Sequence, residues 1–337
     1  MTSNPSVLVL GGRGRFGQAA VRAFAQAGWH VLAQVRPGAT GPAVPGVRWL
    51  ALAPDDTAAL AAAAEGASVV VQALSPPYVH SAWRVQVPQL TDAAIRISRA
   101  LGATLMLPAS VYNFGAAMPR RLREDTPQAA ATVKGRLRIA SERQIREATL
   151  DGGMKAVVIR AGDFFGSGTG SWFDQVMAKG LAQGRFTYPG ALDVPTAWAY
   201  LPDLARTFVE VAARRDRLPA FETLHFTGHT LTGQDWVAAL TELAWEEGWL
   251  PAGGSLRIGT FPWPLIRLGG LVVPTWQALS EMAYLWRTPH GLANERLVAL
   301  LGAEPHTPLL AAARSAADGL GLTARRGAGP AALPGQA

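Results

Sequence analysis

The sequence predicts an α/β fold, a doubly wound parallel sheet with a smaller C-terminal lobe, and three observations carry that prediction. An apolar strand, Val7–Leu10, runs into the glycine-spaced turn Gly11-Gly12-Arg13-Gly14-Arg15-Phe16-Gly17, then a helical stretch to Gln26 and a second strand, Trp29–Val35. Apolar strands and helical runs keep alternating as far as Ile159, the pattern of a parallel sheet with helices on both faces. Beyond Gly166 the texture shifts to segments rich in Gly, Trp, Phe and Tyr, which fits an appended lobe.

The elements follow in order. A Gly/Pro loop (37–46) precedes a third strand, Val47–Leu52, and Pro54-Asp55-Asp56 opens an Ala-rich helix reaching Glu65. Ser68–Leu74 is a continuous apolar run, as a strand buried on both faces requires, and it ends in the loop Ser75-Pro76-Pro77-Tyr78. A long helix reaches Leu101, the strand Thr104–Leu107 leads into a loop to Gly115, and a charged helix spans Thr132–Ala148. A sixth strand, Lys155–Ile159, enters Arg160-Ala161-Gly162-Asp163-Phe164-Phe165-Gly166. Thr223–Thr232 reads as an edge strand and turn, Gly233–Glu247 as a helix, and Pro262–Leu310 as short helices broken by proline. The expected organisation is a core over 1–165 completed by about 191–230, a substrate lobe from 166–190 and 231–320, and a flexible tail from 321 to 337.

The opening motif has a physical reading. Gly11 and Gly12 allow a sharp turn, Gly14 lets backbone approach a pyrophosphate, and Gly17 lets the helix pack close on the strand. The helix start at Arg15 and Phe16 then offers free N–H groups to the phosphates of a dinucleotide, so the core is read as a Rossmann-type fold. A fold of this type that prefers NAD ends its second strand with an acid for the ribose hydroxyls. Here the strand ends Gln34-Val35-Arg36-Pro37, and Arg36 with Arg13 is read as a fork for a ribose 2′-phosphate. NADP is therefore the expected cofactor, with NAD the alternative. Leu74 and Ser75, at the carboxyl edge of the fourth strand, are expected beside it. Asp56 is read either as an adenine contact or as a helix cap.

Composition narrows the classes. The 337 residues are 49% hydrophobic and 16% charged, which describes a packed chain. The net charge of +7 is scattered apart from Arg325-Arg326, so nucleic-acid binding is not expected, while an anionic cofactor suits the balance. No cysteine is present, which excludes disulfides, thiol nucleophiles and Cys-type zinc sites, and the six dispersed histidines suggest no metal. The first strand is too short for a signal peptide, and the apolar stretch from Trp263 to Trp286 is interrupted below spanning length, so a cytoplasmic protein without a membrane partner is expected.

These residues resemble the extended short-chain dehydrogenase/reductase superfamily, which contains nucleotide-sugar epimerases and dehydratases. The markers, from Val7 to Gly321, are Gly11-x-x-Gly14-x-x-Gly17, Ser110-Val111-Tyr112, Glu124-Asp125-Thr126-Pro127, Glu142 and Val158-Ile159-Arg160-Ala161-Gly162 with Phe165-Gly166. Ala199–Ala205 and Gly228–Thr232 complete the set. The resemblance implies a Rossmann core, a C-terminal substrate lobe, a nicotinamide cofactor and often a homodimer. It also implies a Tyr-x-x-x-Lys acid/base pair on the mid-chain helix, and this sequence departs from it: the two positions hold Lys134 and Arg138, and the usual Ser/Thr partner aligns with Pro108.

Three readings of the departure stay open. Tyr112, Lys134 or Tyr78 donates the proton of an NADPH-dependent reduction of a small carbonyl or sugar-type substrate, with Ser110 or Asn113 orienting the carbonyl and Arg138 holding a ribose or phosphate. Alternatively the chain is a silent NADP(H)-binding redox sensor, or it runs a non-redox isomerisation on the same scaffold. Arg160 and Asp163 are read as substrate contacts or, for Arg160, half of an ion pair. Trp172, Phe173 and Tyr188 line a pocket or form core, and Tyr200 and Asp203 brace the lobe. Trp263, Trp276, Tyr284 and Trp286 form a dimer face, a lid or buried packing. No Gly-x-Ser-x-Gly elbow appears, which disfavours a hydrolase.

Overall fold

The computed structural model describes residues 4–323; the expected tail lies, from residue 324 on, outside them. In chain order the strands are β1 (Ser6–Leu10), β2 (His30–Val35), β3 (Val47–Ala51), β4 (Ala67–Gln72), β5 (Thr104–Ala109), β6 (Arg121–Leu122) and β7 (Ala156–Arg160). They continue as β8 (Asp163–Phe165), β9 (Arg185–Tyr188), β10 (Thr196–Tyr200), β11 (Phe221–His225), β12 (His229–Leu231), β13 (Arg257–Thr260) and β14 (Gly291–Leu292). The helices are α1 (Arg15–Gln26), α2 (Thr57–Ala63), α3 (His80–Leu101), α4 (Val133–Glu147), α5 (Leu201–Ala213), α6 (Gly233–Glu246), α7 (Trp263–Gly269), α8 (Pro274–Ser280), α9 (Glu295–Leu301) and α10 (Leu309–Gly319).

Seven parallel strands form the central sheet in the order β11-β7-β5-β4-β1-β2-β3. Period-2 alternation divides their side chains between two apolar layers. Val7, Val9, Val31, Val69, Val71 and Ile159 face α1 and α5 on one side. Leu8, Leu10, Leu32, Val70, Leu105 and Val158 face α2, α3 and the Ile145 end of α4 on the other. Both faces of the sheet's centre are covered, which is why β1, β4, β5 and β7 read as predominantly apolar runs, while the edge strands β3 and β11 carry exposed or polar residues.

A third cluster builds the lobe around Phe165, Phe173, Tyr188, Trp198, Trp236 and Trp286, closed by the alanines of α10. The buried Asp203 at the start of α5 accepts from the backbone N–H (2.6 Å) and hydroxyl (2.8 Å) of Thr307, tying the core to the segment before α10. The stretch 223–232, expected as one edge strand and turn, belongs to two sheets. β11 extends the central sheet beside β7, whereas β12 pairs antiparallel with β10 in a small sheet completed by β8. Gly228, at φ +55°, makes the break, and a Cβ there would stand 2.3 Å from the Trp198 carbonyl oxygen.

Candidate functional site

The strand order reverses between β1 and β4, and the crevice outside their carboxyl ends is where such sheets bind ligands. The glycine turn forms one wall. Gly11 has φ +80°, and a Cβ on it would lie 3.0–3.2 Å from Leu74 and Ala73, so only glycine fits between β1 and the end of β4. A Cβ on Gly17 would stand 2.1 Å from the Gly11 carbonyl oxygen, which explains the close approach of α1 to the turn. Gly14 is exposed, and a Cβ on it would come 3.2 Å from the Gly11 carbonyl oxygen and 3.6 Å from that of Ala73, so a side chain there would be crowded. No side chain caps α1 and its first turn carries no acid, so the N–H groups at Arg15 and Phe16 are free for an anion.

Gln34, which sequence reasoning passed over, holds this wall in place. Its buried side chain accepts from Gly11 N–H (2.9 Å) and donates to the carbonyls of Leu52 (2.7 Å) and Val35 (2.9 Å). A lone amide in an otherwise apolar strand was the available signal. The Trp49 ring presses on Gly12 and Gly41 and donates from Nε1 to the Pro42 carbonyl (2.9 Å), closing the outer side of the turn. Arg13 and Arg36 are exposed, and neither has an ion-pair partner among the described residues. Val35 is buried at the strand end. Asp56 caps α2, accepting from Ala59 N–H at 3.2 Å. Phe16 is buried against the Phe208 ring.

The second wall is a cavity of about 140 Å³ lined among others by Arg15, Tyr78, Ser110, Tyr112, Arg138 and Asp163, with Ser75 at its rim. Tyr112 sits on a single 3₁₀ turn after β5, which Ser110 caps by accepting from Tyr112 N–H at 3.4 Å. Burial pushes the Tyr112 phenol up to about 12, and the Asp163 carboxylate pushes the same way. A hydrogen bond from Tyr78 and the charges of Arg138 and Arg15 oppose this without overcoming it. Burial also raises Tyr78 well above the usual phenol range, and the charge and hydrogen bond of Tyr112 add to the rise. Burial also lifts the Asp163 carboxyl to about 6 against the pull of Arg15, which itself donates to the Phe164 carbonyl (3.2 Å). Arg138 lies over the Trp83 ring at 4.9 Å, its basicity lowered by burial.

Lys134 stands outside this cavity. Its buried ammonium rests 4.0 Å from the centre of the Tyr78 ring and donates to the Ala278 carbonyl at 3.2 Å. Burial lowers it to about 8, with Glu281 acting in the opposite sense. Asn113 is buried and donates to Gln128 (3.2 Å). Arg160 forms a buried bidentate pair with Glu142 (2.7 and 3.0 Å) and donates to the Ser110 carbonyl (2.8 Å), so it positions the Tyr112 turn. Phe173 and Tyr188 belong to the lobe's apolar cluster, with Trp172 packed against it. Tyr284, read from the sequence as part of a dimer face, a lid or buried packing, packs against the same apolar cluster as Tyr78 and Tyr112, and its buried hydroxyl has no hydrogen-bond partner among the described residues. Among the described residues no group of three or more potential ligands is arranged for a metal.

A family model of NAD-dependent epimerases and dehydratases matches residues 7–225. The chain belongs to that family. The match takes in β1 through β11, so the glycine turn and most of the cavity fall within it. Among solved structures, the epimerase/dehydratase fold recurs in UDP-glucose 4-epimerase from Stenotrophomonas maltophila, with bound NAD and formylated UDP-arabinopyranose (15% identity, 94% of this chain and 98% of that one, TM-score 0.71). It recurs in the Brucella ovis UDP-glucose 4-epimerase in complex with NAD (17%, 94% and 98%, TM-score 0.70). The UDP-Glc/GlcNAc 4-epimerase of Campylobacter jejuni is similar too (13%, 94% and 98%, TM-score 0.69). At these identities the likeness is one of fold. A comparison with curated proteins gives no match.

Proposed function

We propose that this member of the epimerase/dehydratase family binds NADP(H) and reduces the carbonyl of a small or sugar-type substrate, with Tyr112 as the proton donor. One observation carries the reading. The only phenols at the cavity wall, Tyr78 and Tyr112, have their acidity suppressed by burial, Tyr112 to about 12. Such a group stays protonated at neutral pH. It is suited to giving a proton to a developing alkoxide and unsuited to taking one from an alcohol. With the proton on Tyr112 at neutral pH the site is set for the reductive direction. The Asp163 carboxyl, at about 6, is the base the same cavity offers to a step that begins by oxidising an alcohol.

The residues present fit a nicotinamide dinucleotide. The exposed backbone of Gly14, bare of a side chain, and the free amides at the start of α1 suit its pyrophosphate. Arg13 and Arg36, exposed and without acidic partners, suit a ribose 2′-phosphate, and Val35 offers nothing to a free ribose hydroxyl. The fold neighbours with bound NAD support the same place for a dinucleotide. When bound, the reduced cofactor supplies a hydride to the carbonyl carbon. The chain does the rest: Tyr112 gives its proton to the carbonyl oxygen and Tyr78 supports the phenolate through the hydrogen bond between them. Arg138 and Arg15 stabilise the negative charge left behind. NADPH with a panel of aldehydes, ketones and oxidised sugars should lose absorbance in the near ultraviolet with at least one member. No turnover with any of them, alongside tight NADPH binding, leaves the sensor reading.

A further inference from the structure

We infer that the turn between α7 and α8 docks on the surface of an anionic lipid bilayer. The two short helices pack against each other, and at the turn that joins them exposed aliphatic side chains stand beside the exposed Arg267, Thr275 and Gln277. Leu265 and Leu268 on α7 are 57% and 68% exposed, and Leu271 and Val272 at the turn 82% and 83%. Large apolar side chains brought together in solvent mark an interaction site.

The N–H groups of the turn are satisfied within it. The N–H groups of Leu271, Val272 and Val273 donate to the carbonyls of Leu268 and Gly269 at 2.8–3.2 Å, and Pro274 has no N–H. Inserting this turn among lipid headgroups strands none of those donors, the cost that keeps ordinary loops out of bilayers. Trp276 fills the base of the hairpin, where its ring excludes a Cβ at Gly269, and Trp263 lies at the other end of α7. Indole rings favour that boundary depth.

Charge selects the surface. From Gly248 to Ser280 there is no acidic residue. Arg267 lines a recess with Leu271 and Val272 and a second one with Arg287, and neither arginine has an ion-pair partner among the described residues. The first acid, Glu281, is turned inward, accepting from Val133 N–H (2.5 Å) and pairing with His80 (2.8 Å). Free cations around an apolar tip suit phosphate headgroups. A second copy of the chain suits it less: a stable protein interface covers about 800 Å² per partner, roughly 20–30 residues. Four side chains at a turn fall well short. The expectation of no membrane partner rested on the missing span, and no helix of the described residues is long and apolar enough to cross a bilayer. Surface contact needs none.

The inference does not depend on the catalytic reading. In sedimentation with vesicles of equal parts phosphatidylcholine and phosphatidylglycerol, the full chain should pellet, less so at high salt and less with phosphatidylcholine alone. Leu271→Glu combined with Val272→Glu, at the two most exposed positions, should weaken binding at least about tenfold. Arg267→Gln should weaken it only on the anionic vesicles. Brominated phosphatidylglycerol should quench tryptophan fluorescence of the unaltered chain, a readout free of any folding defect in the variants. A chain that stays in the supernatant with both vesicles and is not quenched overturns the inference. So does a glutamate variant that folds and pellets like wild type. A dimer abolished by the same variant, without vesicle binding, gives the surface to a second copy instead.

Discussion

Tyr112→Phe is expected to lower carbonyl-dependent NADPH oxidation by roughly 10²–10⁴-fold, the usual worth of a positioned general acid. NADPH affinity should change little. The phenol reaches the cavity from a turn whose backbone is held by the Ser110 cap and by Arg160, so the phenylalanine ring keeps its place and only the proton is lost. Tyr78→Phe should cost less, because Tyr78 acts on the phenolate through one hydrogen bond. The pH dependence sharpens the test. With Tyr112 at about 12, its proton is in place throughout the neutral range, so no fall in rate from its ionisation is expected up to the limit of stability. A group at 12 removes only a small part of its population by pH 10. Full activity in Tyr112→Phe and loss in Tyr78→Phe would exchange the two roles. Full activity in both would remove the phenols from the chemistry.

The second large effect is on stability. Glu142→Ala leaves the Arg160 guanidinium, 1% exposed, with the Ser110 carbonyl as its remaining hydrogen-bond partner. Removing one member of a buried pair costs about 3–5 kcal/mol, because the other charge stays desolvated and uncompensated. Urea unfolding should show that loss. Glu142→Ala together with Arg160→Met should recover much of it, since an apolar pair of similar volume is often neutral. Both chains should lose activity beyond their loss of stability, because Arg160 links β7 to the turn that carries Tyr112. A double variant no more stable than the single one would mean that the pair is not the source of the effect.

The core was legible because two independent signals agreed along it. Apolar strands marked a sheet covered on both faces, and the glycine spacing marked a turn where backbone must approach backbone. The stretch around Gly228 misled because consecutive strand-like residues look the same whether they continue in one sheet or cross to another. At the site, Ser110, Tyr112 and Arg138 were placed by pattern, and the cavity brings them together. Lys134 occupies the position where the resemblance puts the acid/base residue, yet its ammonium is held by the Ala278 carbonyl and the Tyr78 ring. Nothing local could show this, because Ala278 and Glu281 arrive from α8 and the residue after it, well over a hundred positions later. Gln34 stood out as a lone amide in its strand, but its partners Gly11 and Leu52 are set by packing across elements, so the strand itself did not disclose its role.

The claim on which the account rests is that the glycine turn and the start of α1 hold a nicotinamide dinucleotide bearing a 2′-phosphate. Calorimetric titration of NADPH and NADH into the full chain and into Arg36→Ala measures it directly. NADPH should bind the wild type more tightly than NADH, and Arg36→Ala should lose most of that preference while leaving NADH affinity unchanged. Equal affinities in the wild type contradict the phosphate fork. No heat with either nucleotide contradicts the site itself.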